Sequence, residues 1–489
     1  MKGTLFQLPD KVTPQNLKLA MQQAIEIEIA TIPVYLYTYY SINRVPNQSQ
    51  IAAQILSDFE ATQAKAEHPK TPEELKAKAD QLALDIMVFA NKSAALIMSV
   101  AVEEMLHMSL SSNIKNALGA YGGTPELVGK TPKIWPAYLP GHIPAFEINR
   151  AILSLDQLHA FLLIESPLPF VNKKQEEGNA IEYTTIGEYY QLIIDCIQND
   201  LSDSDFTPDA PQLIPGKGFY AQNNIDTIYY DKKHQPQFGN ADDSGGLIHV
   251  KDKASAIAAM SEIVEQGEGA TKTKDGGKET GDHLAPDGRV VCPVKLSELD
   301  YDDPTDKELS HFDKFLEVYC TIERKNNELN KFLGTTNFDF KKYFVLDLPK
   351  NPKTTDYPEA IQKISNLTNA IYTYLFIMSE ACYKTSGHTQ YEIFMFGIHK
   401  TMIWLLDNLC GTMAWMTYTN ANGEEQNVAP TFEDYPFSSS SSPKSQIIDL
   451  AGIAMAANSS ISSNILQRIK DLPDVSLESY LVENNAPLL

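Results

Sequence analysis

Cysteine is scarce in this chain, and what there is forms no pattern: Cys196, Cys292, Cys320, Cys382 and Cys410 are the five thiols in 489 residues. A scattered, odd-numbered set without a CxxC argues against a disulfide framework and against a zinc ribbon, so reduced and mostly buried thiols are expected. Long apolar runs are missing too. No stretch reaches the ~18 uninterrupted apolar residues of a membrane helix, and the opening MKGTLFQLPDKVTP lacks the charged-then-apolar signature of a signal peptide. A cytoplasmic protein is the expectation. Positive charge is short: 40 Lys and Arg stand against 63 Asp and Glu, a formal net charge of −23. Nucleic acid and anionic membranes both call for basic patches, so neither is expected as a partner. A small-molecule substrate is expected instead, and homo-oligomerisation is left open. No internal repeat is visible at solenoid periods.

What the chain does have is helical periodicity, over a length that calls for about two to three domains. Thr13 and Pro14 predict a helix start. Leu17, Met21, Ala24, Glu28, Ile32, Tyr35 and Tyr39 then recur on one face. Glu28 lies in that stripe, whereas Glu26 falls about 160° away. Pro33 predicts a kink or an end. Residues 43–80 are polar and could hold a surface helix. A second long helix is expected over about 80–120, stopped by Gly122, Gly123 and Pro125. Shorter helices are expected over 155–165, 186–197 and 254–266, and another from about 305. Beyond 330 the pattern predicts helices at 358–384, 390–418 and 445–469. Residues 202–249 read as loop, and 270–304 as a polar insertion.

Chemistry concentrates on a few of these helices. Glu104 and His107 form a Glu-x-x-His pair, so both point to about the same face. That face also carries Ile97, Val100, Ala101 and Met108. A carboxylate and an imidazole in an apolar interior are costly unless something pairs with them. A second Glu-x-x-His follows at Glu308 and His311. Together with Glu28 and a third-helix acid, Glu265, these residues approach the inventory of a two-metal carboxylate bundle. Such donors suit iron or manganese. The alternatives are specific. Glu103 also lies near the face of His107 and competes with Glu104. Glu262, Glu265 and Glu268 recur at three-residue steps, as solvated faces do. Glu165 and Glu188 compete for the third-helix role, and Glu308 could simply favour a helix N-terminus. The Tyr35, Tyr37, Tyr39 and Tyr40 cluster reads as core and rim. His68, His142, His159, His234, His249, His283, His388 and His399 read as structural or surface residues.

At these residues the chain resembles a known family. AIEIEIATIPVYLYTYYSI (24–42), SVAVEEMLHMSLSSNIKNALGAYGGTPEL (99–127), FLLIESPLP (161–169), YTTIGEYYQ (183–191), AIAAMSEIVEQGEG (256–269) and ELSHFDKFLEV (308–318) are similar to blocks of the ferritin-like domain family of VioB and RebD, the iminophenyl-pyruvate dimer synthase-like proteins. The resemblance implies an all-α protein: a ferritin-like four-helix bundle over residues 1–325, with long irregular insertions, followed by a C-terminal helical region over 326–489. It implies oxidative chemistry with oxygen or peroxide on a small amino-acid-derived metabolite, in secondary metabolism. The implied cofactor is two iron ions, or iron with manganese. Haem, which some relatives use, would need no more than a lone axial histidine, and no haem motif is present. VioB is about twice this length, and the 270–304 segment is longer than the linker expected between the QGEG and SHF blocks.

Three readings follow, an oxidoreductase, a non-catalytic iron-handling ferritin relative, and a scaffold that kept the fold and lost the metal; metal content together with a defined organic turnover separates the first two. The composition of the 270–304 insertion offers few apolar anchors to offset its ordering entropy. Replacing residues 271–298 by a short Gly/Ser linker is expected to leave folding and metal binding intact. Loss of a cooperative thermal transition would show that the segment belongs to the core.

Overall fold

In the computed structural model the described residues are 11–64, 70–167, 181–215, 246–268, 283–285, 288–293 and 309–476. Most of the predicted insertion at 270–304, and Glu308, lie outside them.

The first helix, α1 (Leu17–Tyr40), starts later than the sequence predicts: Asn16, not Thr13, precedes its first turn. The Asn16 side chain accepts the Thr13 N–H at 2.7 Å, which ties the entry turn to the helix. Almost every residue of α1 is buried, as befits a helix that is apolar all round and sits at the centre of a bundle. It runs through Pro33 without ending. A surface helix, α2 (Gln48–Gln63), falls within the polar 43–80 stretch. Next comes α3 (Pro72–Ala117), whose start is specified by a capping box. Glu74 N–H donates to Thr71 Oγ1, and Thr71 N–H donates back to the Glu74 carboxylate. An 18-residue window of α3 is apolar enough to cross a membrane by length and composition, yet 72% of it is buried within the protein.

The other half of the bundle is built from four shorter helices, α4 (Leu155–Ile164), α5 (Ile186–Asp200), α6 (Lys253–Gly267) and α7 (His311–Leu333). α1 packs on α3 and α5, and α3 on α6 and α7; α4 pairs with α7, and α5 with α6. The third bundle position is thus filled by α4 followed by α5, and the fourth by α6 followed by α7. Both are interrupted at the same level. α7 begins at His311, with the Ser310 hydroxyl accepting the Asp313 N–H. Of the second Glu-x-x-His, His311 opens this helix, and Glu308 lies outside the described residues. α7 also continues across the expected domain boundary at 325, and one continuous buried core joins the two regions.

The C-terminal region packs around α8 (Glu359–Cys382). The single helix expected over 390–418 is broken. A short α9 (Gly387–Glu392) leads into two π-helical segments, Ile393–Ile398 and Thr401–Leu406, and then α10 (Asp407–Ala414). A small antiparallel hairpin follows, β1 (Thr417–Thr419) with β2 (Glu425–Asn427), in which Tyr418 faces Gln426. The last expected helix is split into α11 (Pro443–Ala457) and α12 (Ser463–Lys470).

One cysteine expectation is overturned. Cys292 and Cys320 form a disulfide, which ties the chain ahead of α7 to the third turn of that helix. Scattered spacing hid a pair that only the fold brings together. Cys196, Cys382 and Cys410 are buried free thiols, as expected.

Tyr35, Phe161 and Phe315 join α1, α4 and α7 through ring contacts of 4.7–5.0 Å. Truncating a buried aromatic leaves a cavity costing about 3–5 kcal/mol. Phe315→Ala is expected to lose that much in urea-induced unfolding. A loss below ~1 kcal/mol would show that the three helices are not held by this contact.

Candidate metal centre

The middles of α1 and α3 meet the interrupted ends of the other helices at one buried cluster. Glu28 comes from α1, and Glu104 and His107 from α3. Glu165 caps the C-terminus of α4, and His311 is the first residue of α7. All five are at most 3% exposed. Ligand-type atoms of Glu104, His107 and His311 lie within 4.8 Å of one another. His311 Nδ1 is 3.0 Å from Glu104 Oε1 and 3.6 Å from Glu165 Oε2. His107 Nδ1 is 3.9 Å from both Glu28 Oε2 and Glu104 Oε1. The two imidazoles stack with centroids 5.1 Å apart. Each ring therefore turns the same nitrogen toward the carboxylates.

The outer nitrogens are held. His107 Nε2 lies 3.0 Å from Gln266 Oε1, and the Gln266 amide nitrogen donates to Glu262 Oε1 at 2.9 Å. That second bond fixes which end of Gln266 faces the histidine, so His107 donates from Nε2 and keeps a lone pair on Nδ1. His311 Nε2 lies 2.8 Å from Glu103 Oε2, and Lys314 Nζ donates to both oxygens of the same carboxylate at 2.8 and 2.6 Å. Glu103 thus stands behind His311, not beside His107. This is the orienting arrangement that metal-bound histidines characteristically have. Other polar groups position the acids. Tyr190 donates to Glu28 at 2.6 Å, Thr31 to Glu104 at 2.8 Å, and Tyr35 to Glu165 at 2.5 Å.

The electrostatics follow from burial. Desolvation, reinforced by Glu104, raises Glu28 well above the usual carboxylate range. Burial and the neighbouring His311 push His107 down to about 3. Burial opposes a charge on His311 as well, but Glu165, with Glu103 and Glu104, overcomes it and raises that imidazole well above its ordinary value. Glu103 goes the other way: burial is outweighed by Lys314 and His311, which bring it to about 2. His311 Nδ1 makes no hydrogen bond although it is buried and surrounded by acids. That nitrogen lies beside the Glu104 and Glu165 carboxylates, and buried acids so placed call for positive charge between them, the His311 proton or a metal ion in its place.

Several sequence candidates fall elsewhere. Glu265 is only half-buried and lies off the buried face of α6, which runs Ala256, Ala259, Met260, Ile263 and Gln266. The half-buried Glu262 holds Gln266. Glu188 is exposed and caps the start of α5 through Thr184. Glu26 lies outside the cluster, paired with Lys130. Glu268 is buried but spans the break: it accepts the Gly187 N–H at the start of α5, and burial raises it to about 8. A Cβ at Gly187 would collide with that carboxylate. Tyr35, Tyr190, Gln266 and Lys314 were not expected at the site. For Gln266 and Lys314 the signal was available, since each lies on the buried stripe of its helix.

These elements describe a helical bundle with a buried carboxylate–imidazole centre able to hold metal. The profile of the family described as Ferritin-like matches residues 21–320, more than half of the chain, and the protein belongs to that family. Among solved structures it is similar to a ferritin-like protein from Caulobacter vibrioides, at 17% identity and a TM-score of 0.39, over 81% of this chain and 96% of that one. No curated protein matches.

Removing one member of a buried ion pair costs about 3–5 kcal/mol, because the other charge is left uncompensated. Lys314→Met is expected to destabilise the protein by that order in chemical denaturation, and Glu103→Gln introduced alongside it to restore part of the loss. Additive losses in the double variant would show that Lys314 does not act through Glu103.

Proposed function

We propose that the protein is a two-metal oxidoreductase that uses oxygen or peroxide on a small organic substrate. The observation that carries this reading is the paired orientation of the two histidines. Both outer nitrogens are tied down, while both Nδ1 atoms converge with Glu28, Glu104 and Glu165 in a water-poor interior. With metal in place of the His311 proton, three carboxylates and two neutral imidazoles would leave one positive charge on two divalent ions, and the mixed oxygen and nitrogen donors suit iron or manganese. When bound, such ions supply redox and Lewis-acid chemistry.

The chain's own residues do the rest. Glu28, Glu104, His107, Glu165 and His311 are the ligands in this reading, with Glu165 in the role first considered for Glu265. Gln266 and the Glu103–Lys314 pair hold the imidazoles in the tautomer that presents Nδ1. Tyr35 and Tyr190 fix the carboxylates of Glu165 and Glu28 and are the nearest hydroxyls able to pass a proton to them. The resemblance to the VioB and RebD domains supports an amino-acid-derived substrate and secondary metabolism, and the scattered thiols are the ground for a cytoplasmic setting. The Cys292–Cys320 disulfide counts against the last of these. The second class, iron handling without turnover, shares the same ligands.

Metal analysis of the purified protein is expected to give about two transition-metal ions per chain. His107→Ala and Glu165→Gln should lose most of them, Glu265→Gln should keep them, and Gln266→Ala should weaken binding by about 10–100-fold. Full retention in both His107→Ala and His311→Ala would reject the centre. Metal uptake with no organic turnover would leave the centre in place and favour iron handling.

A further inference from the structure

A second site lies away from the bundle centre. A cavity of about 810 Å³ opens between the 124–135 loop and the C-terminal region, and none of its lining residues belongs to the carboxylate–imidazole cluster. Its charge runs against that of the chain. Six cationic side chains line it against four acidic ones, on a protein of net charge −23.

Most of the acids there are already engaged. Glu380 accepts the Leu127 and Val128 N–H groups and pairs with Lys384. Glu433 accepts from the Thr354 N–H and hydroxyl. Glu126 pairs with Lys130. Lys133 and Lys353, both exposed on the wall, form no ion pair among the described residues.

Arg150 is the centre of the cavity's chemistry. It is 1% exposed, and its guanidinium stacks over Trp135, 4.8 Å from the ring centroid. Nη2 donates to the Pro352 carbonyl at 3.0 Å, but Nε and Nη1 have no hydrogen-bond partner. A buried guanidinium with unmet donors is costly. Here it forms part of the wall of a cavity bordered by further cations and by the aromatic rings of Trp135 and Tyr435. Asp434 Oδ2, in the same wall, is also buried without a hydrogen-bond partner, and Lys133 is the nearby charge that acts on it.

From this juxtaposition we infer that the Arg150 cavity binds a small organic oxyanion, a carboxylate or a phosphate monoester carried on a flat ring. The oxyanion completes the Arg150 donors and draws on Lys133 and Lys353, while the ring lies against the aromatic wall. A cavity of this size accommodates a metabolite-sized ligand. Arginine serves carboxylate and phosphate alike. Asp434 opposes the bound charge and so limits affinity.

The test is isothermal titration of the full chain with benzoate, phenyl phosphate and inorganic phosphate, at constant ionic strength, with chloride as reference. Saturable binding of at least one ring-bearing probe is expected, tighter than inorganic phosphate. A preference for benzoate or for phenyl phosphate identifies the source of the oxyanion. In Lys133→Ala/Lys353→Ala the affinity should fall about tenfold or more, the scale of a lost hydrogen bond to a charged group, and in Asp434→Asn it should rise. Arg150→Met should abolish binding. If that variant does not fold, the lysine pair and Asp434→Asn carry the test from the surface. Absence of saturable binding above chloride, or equal affinity in the parent and in the lysine and Asp434 variants, overturns the proposal.

Discussion

Everything near the bundle centre depends on one constraint, the burial of several carboxylates where water cannot reach them. Glu28, Glu103, Glu104, Glu165 and Glu268 are each at most 3% exposed, and like charges so placed cannot all ionise without compensation. The fold answers in three ways. Lys314 neutralises Glu103 directly. Backbone N–H at the start of α5 solvates Glu268. The remaining three acids surround two imidazoles, where protons on His311 and Glu28, or metal ions in their place, offset the charge. The tyrosine and threonine hydroxyls around them place the carboxylates without changing their charge.

Placing those acids requires both continuous and interrupted helices. α1 and α3 are long, buried and uninterrupted, so Glu28, Glu104 and His107 inherit their positions from backbone that has little freedom to move. Glu165 and His311 instead stand at helix ends, where the chain turns and a side chain can enter the core without following helical spacing. The same breaks bring Glu268 and Gly187 into contact.

This division explains what could be read from the amino-acid sequence. Glu28, Glu104 and His107 follow helical periodicity, so their shared face was legible, as was the all-α class. Glu165 was visible only as a competitor, because the Ser166-Pro167 stop that places it at a helix end also removes it from any periodic stripe. Glu265 was favoured on residue type, although the apolar spacing of α6 points to Gln266. Glu103 and Glu104 could not be separated by angle alone; His311 and Lys314, far away in sequence, decide between them. The π-helical segments after α9 and the hairpin β1–β2 arise from tertiary packing and left no periodic trace. The disulfide was hidden for the same reason, since spacing says nothing about which cysteines a fold brings together.

That disulfide has a consequence for the chain entropy of the connection between α6 and α7. The connection leaves the centre at Gly267 and returns to it at His311. Cys292 is bonded to Cys320, nine residues into α7, with a separation of 28 residues. The covalent link closes a loop that carries His311 within it, and in the chain-entropy account a loop of this size removes about 3–4 kcal/mol of freedom from the unfolded chain. The imidazole that opens α7 is therefore confined by a crosslink as well as by packing. Reducing that bond would lengthen the unconstrained span that ends at His311 while leaving the ligands on α1 and α3 untouched.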